Sequence, residues 1–358
     1  MQELLREAGL FSKSIHDLPP HLLLSGSKVT QAQFLSFYVV FPPLLSPYEL
    51  IHEDLHLYNL NLSWMAAQVI LGDFQDFEKY LGLLERGISI NSISRDHSLF
   101  PPSLRTVKDL QELCLERKAF AKGTAHTGIE ISARKPTRLA MKDLFGTKRL
   151  RTDTATPPVN YPDEKVEVEH EATVNSALVI FLREISSLVD NPETEFVFDP
   201  MVEKATFSKE ASASKEASVS KKASFTAITD GVLRRLDTGE ILAIFEVKKR
   251  DRSKNGGLIR MQEAAEMACW FKNSYRKTHF LNDHPLIISQ DREKIFVSFA
   301  SYDDRYIEYL QTATVQDPES RYASIQTYGP FNVNVKEDML SFATLVVTIT
   351  LAAKKRRA

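Results

Sequence analysis

The run ILAIFEVKKR at residues 241–250 places the tightest limit on the fold. Five consecutive apolar residues, Ile241 to Phe245, read as a strand covered on both faces, which belongs in the interior of a sheet with helices above and below it. Glu246 and Lys248 enter that strand where burial should still be deep, and alternation of side chains puts them on one face. A carboxylate and an ammonium in such a position are either an ordinary buried ion pair or the working groups of a site.

The preceding segment supplies a neighbour. In SFTAITDGVLRRLDTGEILAIFEVKKR, two strand-like runs flank Asp237-Thr238-Gly239, a turn with glycine where a left-handed residue is needed. A three-residue loop pairs Leu236 with Glu240, and the same register sets Asp230 opposite Glu246. Asp230, Glu246 and Lys248 then form one cluster. Two carboxylates meeting inside a sheet are costly unless compensated, and a divalent cation with hard oxygen ligands, Mg²⁺ or Mn²⁺, is the usual compensation.

The flanking helices offer further groups. HEATVNSALVIFLREISSLV carries an apolar stripe through Val174, Leu178, Phe181, Ile185 and Leu188, and one step back along it lies Glu171, read as the first turn. The positive end of the helix dipole is an alternative reason for an acid there. GGLIRMQEAAEMACWFKNSY is a largely buried helix that sets Gln262 among Leu258, Ala265 and Cys269, with Glu266 one turn on.

The order helix with Glu171, strand, strand with Asp230, strand with Glu246 and Lys248, helix with Gln262 resembles the PD-(D/E)XK nuclease superfamily. Within it the chain is similar to divergent fungal nuclease-like domains that carry a Gln-Glu-x-Ala-Glu-Met segment, here residues 262–267. Thr229 stands where the family name has proline. The resemblance covers residues 163–358 and implies an α/β fold, a restriction-endonuclease-like mixed sheet flanked by helices. It implies metal ligation by Asp230 and Glu246 with support from Glu171, a catalytic Lys248, and Gln262 flanking the site. The cofactor would be Mg²⁺ or Mn²⁺ and the substrate nucleic acid, DNA before RNA. The basic run Lys249, Arg250, Arg252 and Lys254 would then hold the phosphate backbone, although it also reads as a solvated loop.

Elsewhere the sequence divides by composition. Residues 1–118 read as a mainly helical region with proline joints and are a candidate protein-binding region. Residues 119–162 read as a basic, partly disordered linker containing Lys148-Arg149-Leu150-Arg151. Residues 208–225 repeat a hexad as SKEASA, SKEASV and SKKASF, which reads as a low-complexity insertion (208–224) in a hairpin loop. The net charge of -2 gives no global attraction to polyanions, so nucleic acid would be met by local patches. Cys114 and Cys269 are too few for a disulfide framework and fall in helical segments, which suits an intracellular compartment. The two basic clusters, the second at residues 354–357, match nuclear-import signals. No apolar run reaches the roughly 20 residues of a membrane span.

Two other functions stay open. A catalytically inactive module could keep the nuclease fold and bind protein or nucleic acid. His52-Glu53-Asp54-Leu55-His56 fits the zinc-peptidase pattern H-E-x-x-H, in which two histidines one α-helical turn apart share a metal, but Asn59 and Leu62 break the extended form of that motif.

Overall fold

A computed structural model describes residues 14–89, 102–123, 162–197, 199–207, 223–248, 252–273, 280–312 and 322–354. The described strands are β1 (Val39–Val40), β2 (Thr194–Val197), β3 (Val202–Phe207), β4 (Ala223–Ile228), β5 (Gly231–Arg235), β6 (Ile241–Lys248), β7 (Leu286–Asp291), β8 (Lys294–Ser301) and β9 (Ala323–Asn332). The longer helices are α1 (Gln31–Ser36), α2 (Asn61–Gly72), α3 (Gln75–Arg86), α4 (Pro102–Gly123), α5 (Pro162–Ser186), α6 (Arg252–Asn273), α7 (Asp304–Gln311) and α8 (Lys336–Lys354). Seven strands make one mixed sheet in the order β1-β9-β8-β7-β6-β5-β2, and β3 with β4 forms a separate hairpin. The chain is therefore α/β with a mixed sheet.

β6 is the centre of this arrangement. It pairs antiparallel with β5 and parallel with β7, and α6 makes the crossover between the two parallel strands. Its side chains feed two cores. Ala243, Phe245 and Val247 pack with Val174, Leu178, Phe181 and Ile185 of α5 and with the buried face of α8. Ile244, on the opposite face, packs with Ala264, Ala265 and Ala268 of α6 and with the phenylalanines of the β3–β4 hairpin. Glu246 and Lys248 share the face of Ile244, so both are pressed between sheet and α6.

The β-branched segment 336–354 is a helix. Thr344, Thr348 and Thr350 each donate the hydroxyl proton to the carbonyl four residues back, at 2.8, 2.7 and 2.9 Å. Back-bonding of this kind lets threonine enter a buried helix without an unsatisfied hydroxyl. No described helix is long and apolar enough to cross a membrane.

The described residues before 124 are built into the same structure. β1 adds parallel to the edge of β9, and Leu45 continues the pairing, donating its amide to Thr327 O at 3.0 Å and accepting from Gly329 N at 2.9 Å. Leu50, Leu55, Tyr58 and Leu60 join the core of α5 and α8, and Ile15, Leu35 and Phe37 join that of α6. The region expected to be mainly helical thus contributes a strand and part of both cores. Of the expected linker, residues 119–123 continue α4 and Pro162 opens α5. Residues 124–161, with the cluster at 148–151, lie outside the described residues, as do 208–222 and 355–358. The hexad array nevertheless ends in ordered sheet, because Phe207 pairs with Ala223 and the last repeat supplies Phe225, which is 3% exposed.

Candidate active site

The run 224–236, read as one strand, breaks at Thr229-Asp230 into β4 and β5. Gly231 pairs with Phe245, which leaves Asp230 opposite Glu246 as the sequence register requires. The turn itself differs from expectation. Arg234 pairs with Ile241, and Arg235 N donates to Glu240 O at 2.9 Å, so four residues rather than three make the loop, with Gly239 at φ +69°. Leu242 bulges between the Leu233–Ala243 and Arg234–Ile241 pairs and restores the offset. Gly231 is required here by space. A Cβ on it would lie 1.9 Å from Phe245 Cζ and 2.5 Å from Val197 O.

Asp230 and Glu246 are locked by reciprocal backbone contacts. Val247 N donates to Asp230 Oδ2 at 2.7 Å, and Asp230 N donates to Glu246 Oε2 at 3.2 Å. Lys248 Nζ donates to Glu246 Oε1 in a close ion pair. Gln262 Nε2 donates to the same oxygen at 2.9 Å and to Glu266 Oε1 at 2.8 Å. Glu266 is fully buried, and among the described residues its Oε2 has no hydrogen-bond partner. Asp230, Glu246, Lys248 and Gln262 are therefore brought together as the sequence suggested, and Glu266 joins them.

Three carboxyl groups around one ammonium leave an excess of negative charge. Burial raises Glu246 well above the usual carboxylate range, and the neighbouring Glu266 adds to this while Lys248 opposes it. Burial likewise lifts Glu266 to about 7 and raises Asp230, against the pull of the Val247 amide and Lys248. For Lys248 burial alone would lower the pKa, but Glu246 and Glu266 overcome it and hold the ammonium above the ordinary lysine value. The cluster takes up protons or positive charge readily.

Glu246, Lys248 and Gln262 form the floor of a cleft of about 650 Å³ whose walls are residues 26–29, Ile228, Leu258 and Ile259, together with Glu171. Glu171 reaches the cleft from α5, which lies on the other side of the sheet. Because α5 begins at Pro162, Glu171 is well past the first turn, and the helix dipole no longer accounts for an acid there. Leu258, expected against the sheet, is 53% exposed at the cleft instead.

Arg252, expected on a nucleic-acid-facing surface, turns inward. Its guanidinium donates to Glu263 Oε1 at 2.6 Å, Asp291 Oδ2 at 3.1 Å and Ser289 Oγ at 2.8 Å, and lies 4.3 Å from the centroid of Phe296. Glu263 and Asp291 are buried, and only a guanidinium presents enough donors to hold both. Arg252 is thus a structural cation. Lys254 is exposed, and Lys249 and Arg250 lie outside the described residues. The signal for Glu263 was present in EAAEMACWF, where two acids interrupt a run otherwise suited to a core. Nothing in ISQDREK marked Asp291.

The H-E-x-x-H segment does not form an α-helical turn. Leu50–Asp54 winds as a π-helix, His52 stacks on Tyr48 with centroids 4.2 Å apart, and Asp54 accepts from Tyr328 OH at 2.8 Å. The spacing that would align two imidazoles is lost. Cys269 is buried in α6 and Cys114 half-buried in α4, and no disulfide joins them.

Sequence comparison with known protein families and with curated proteins gives no match. Among the described residues no three His, Cys, Asp or Glu side chains are arranged as a ready-made cation site. The donor chemistry nevertheless fits a hard cation. Asp230 and Glu246 are adjacent carboxylates, no hydrogen bond engages Asp230 Oδ1 among the described residues, and Glu266 Oε2 is an orphaned buried oxygen. Mg²⁺ typically takes only one or two carboxylates, with water and phosphate completing its shell.

Proposed function

We propose that the chain is a metal-dependent nuclease of the PD-(D/E)XK type, with a restriction-endonuclease-like sheet core, hydrolysing phosphodiester bonds in nucleic acid, DNA in the first instance. The observation that carries this reading is the meeting of Asp230 and Glu246 on neighbouring strands, with Lys248 beside them and with Glu246 and Lys248 lining an open cleft. Asp230 and Glu246 would hold Mg²⁺ or Mn²⁺, with Glu171 on the facing wall. When bound, such an ion lowers the pKa of a water and offsets charge on the phosphoryl oxygens. Lys248 supplies a fixed positive charge where negative charge grows as water adds at phosphorus and the bond to the leaving oxygen breaks. Gln262 fixes the Glu246 rotamer through its amide. The buried position of these groups strengthens each of these interactions relative to water.

A second reading has its own support. Lys248 and Gln262 together satisfy Glu246 Oε1 without any metal, as they would in a catalytically silent module that keeps the fold and binds nucleic acid or protein. Nuclease assays with Mg²⁺ or Mn²⁺ separate the two. Cleavage well above that of an Asp230→Ala, Lys248→Ala double variant supports the enzyme. Cleavage no higher than the double variant, together with absence of Mn²⁺ binding by calorimetry, leaves the silent module.

A further inference from the structure

The walls of the cleft carry information that the catalytic groups do not. One wall is the short 3-10 turn Gly26–Lys28, held tightly against β4: a Cβ on Gly26 would stand 3.3 Å from Ala227 Cα. This turn belongs to the N-terminal residues, for which the sequence offered no role at the site. It presents Ser27 and Lys28 as exposed side chains toward the same space as Glu246 and Lys248. Beside it stands Ile228, 55% exposed, at the end of β4. Leu258, 53% exposed, lines the same cleft from α6.

Exposure of one aliphatic side chain is ordinary, but two of them lining one concavity beside a few polar groups is the composition of a ligand site. They suit a ligand that offers apolar surface to Ile228 and Leu258 and an anion to Lys28. An intact duplex shows the protein an outer surface of sugar and phosphate and keeps its bases stacked inside, so Ile228 and Leu258 would meet nothing apolar. A single strand offers unstacked base faces next to each phosphate. Access points the same way. Glu246 and Lys248 are only 4% and 8% exposed, so a phosphodiester must enter the cleft to reach them. A flexible strand does this, whereas the phosphates of a duplex are fixed on a rigid cylinder. Duplex binding also draws on a broad basic face, and Arg252 is withdrawn from that role by its buried ion pairs.

We propose that the cleft selects single-stranded nucleic acid, with Lys28 holding a backbone phosphate and Ile228 and Leu258 packing against unstacked bases. This rests on the phosphodiester reading of the floor and adds strandedness and the groups that set it. The probe is a short labelled oligonucleotide, single-stranded or annealed to its complement, titrated in EDTA against the full chain by fluorescence anisotropy. The expected result is at least about tenfold tighter binding of the single strand. Lys28→Ala should lower the salt-dependence slope by about 0.7, the value for one phosphate contact to a single strand. Ile228→Ser with Leu258→Ser should weaken single-strand binding several-fold and leave its salt slope unchanged. All three positions are exposed, and a thermal melt confirms that the variants fold. Equal or tighter binding of the duplex, no binding of either form, or variants that bind like the wild type would overturn the proposal. Single-strand preference in EDTA without Mn²⁺-dependent cleavage would support it while removing the nuclease reading, so the two fail separately.

Discussion

Gly231 and Phe245 occupy one another's space: the position of a Cβ on the glycine lies 1.9 Å from the phenylalanine ring, and Val197 O closes the other side at 2.5 Å. Phe245 is 1% exposed and cannot swing into solvent without emptying its core position. Gly231→Ala should therefore destabilise the fold by about 3 kcal/mol, the upper part of the range for overpacking. The check is a shift of the urea midpoint with little change in slope. Because Asp230 is the adjacent residue, metal-dependent cleavage should fall further than the unfolded fraction explains.

Among the described residues Lys248 is the one ammonium paired with Glu246. In Lys248→Met the carboxyl groups lose it while the volume stays nearly constant. Removing one partner of a buried pair typically costs about 3–5 kcal/mol, and that loss is expected at mildly alkaline pH where the acids are ionised. Mn²⁺ should restore part of it, raising the melting temperature of the variant more than that of the wild type. A variant whose melting temperature ignores Mn²⁺ would show that Asp230 and Glu246 do not hold a cation.

Asp291 gives the pH dependence a definite sign. Burial raises its pKa from 3.8 to about 6 against the opposing pull of Arg252, and among the described residues its Oδ1 has no hydrogen-bond partner. A carboxyl whose folded pKa exceeds its unfolded value binds more protons in the folded state, so its contribution to stability is greatest below about pH 4 and declines as pH rises toward 6. A two-unit shift corresponds to about 3 kcal/mol. Unfolding free energies measured between those limits should fall less steeply with pH in Asp291→Asn than in the wild type, whatever the absolute stability of the variant.

Tyr328 ties the N-terminal residues to β9. Its hydroxyl donates to Asp54 Oδ2 at 2.8 Å and lies 2.8 Å from Tyr58 OH, while the Tyr58 ring stacks on Phe299 with centroids 3.6 Å apart. Tyr328→Phe strands a buried hydroxyl and should cost about 1–3 kcal/mol. Tyr58→Phe in the same background should add little, since its hydroxyl has already lost that partner.

The strand pattern carried most of the site. Alternation along 241–248 placed Glu246 and Lys248 on one face, and the apolar stripe of α6 put Gln262 beside them, because burial on both sides of a sheet leaves few other arrangements. The register was reached by way of a loop one residue too short. The chain makes a longer turn and then bulges at Leu242, two departures that cancel at Asp230, and periodicity registers neither. Arg252 was legible only as one of several basic residues. Its partners Glu263 and Asp291 lie 11 and 39 residues away in sequence, and their pairing is decided by how α6 docks on β7 rather than by any local pattern. The role of residues 26–29 was invisible for the same reason, since it arises where an N-terminal turn meets a strand about 200 residues later in the chain.

The two-residue strand β1 has a consequence for any attempt to divide the chain. β9 is ten residues long and holds Ile325, Tyr328 and Phe331, and its outer edge is covered by Val39, Val40 and the Leu45 bridge. Cutting the protein at residue 163, where the nuclease resemblance begins, would bare that edge as a row of unpaired amides and carbonyls beside a torn apolar core. Such an edge recruits strands from other molecules. The shortened chain should accumulate as aggregate, and supplying residues 14–123 as a separate fragment during refolding should return part of it to solution.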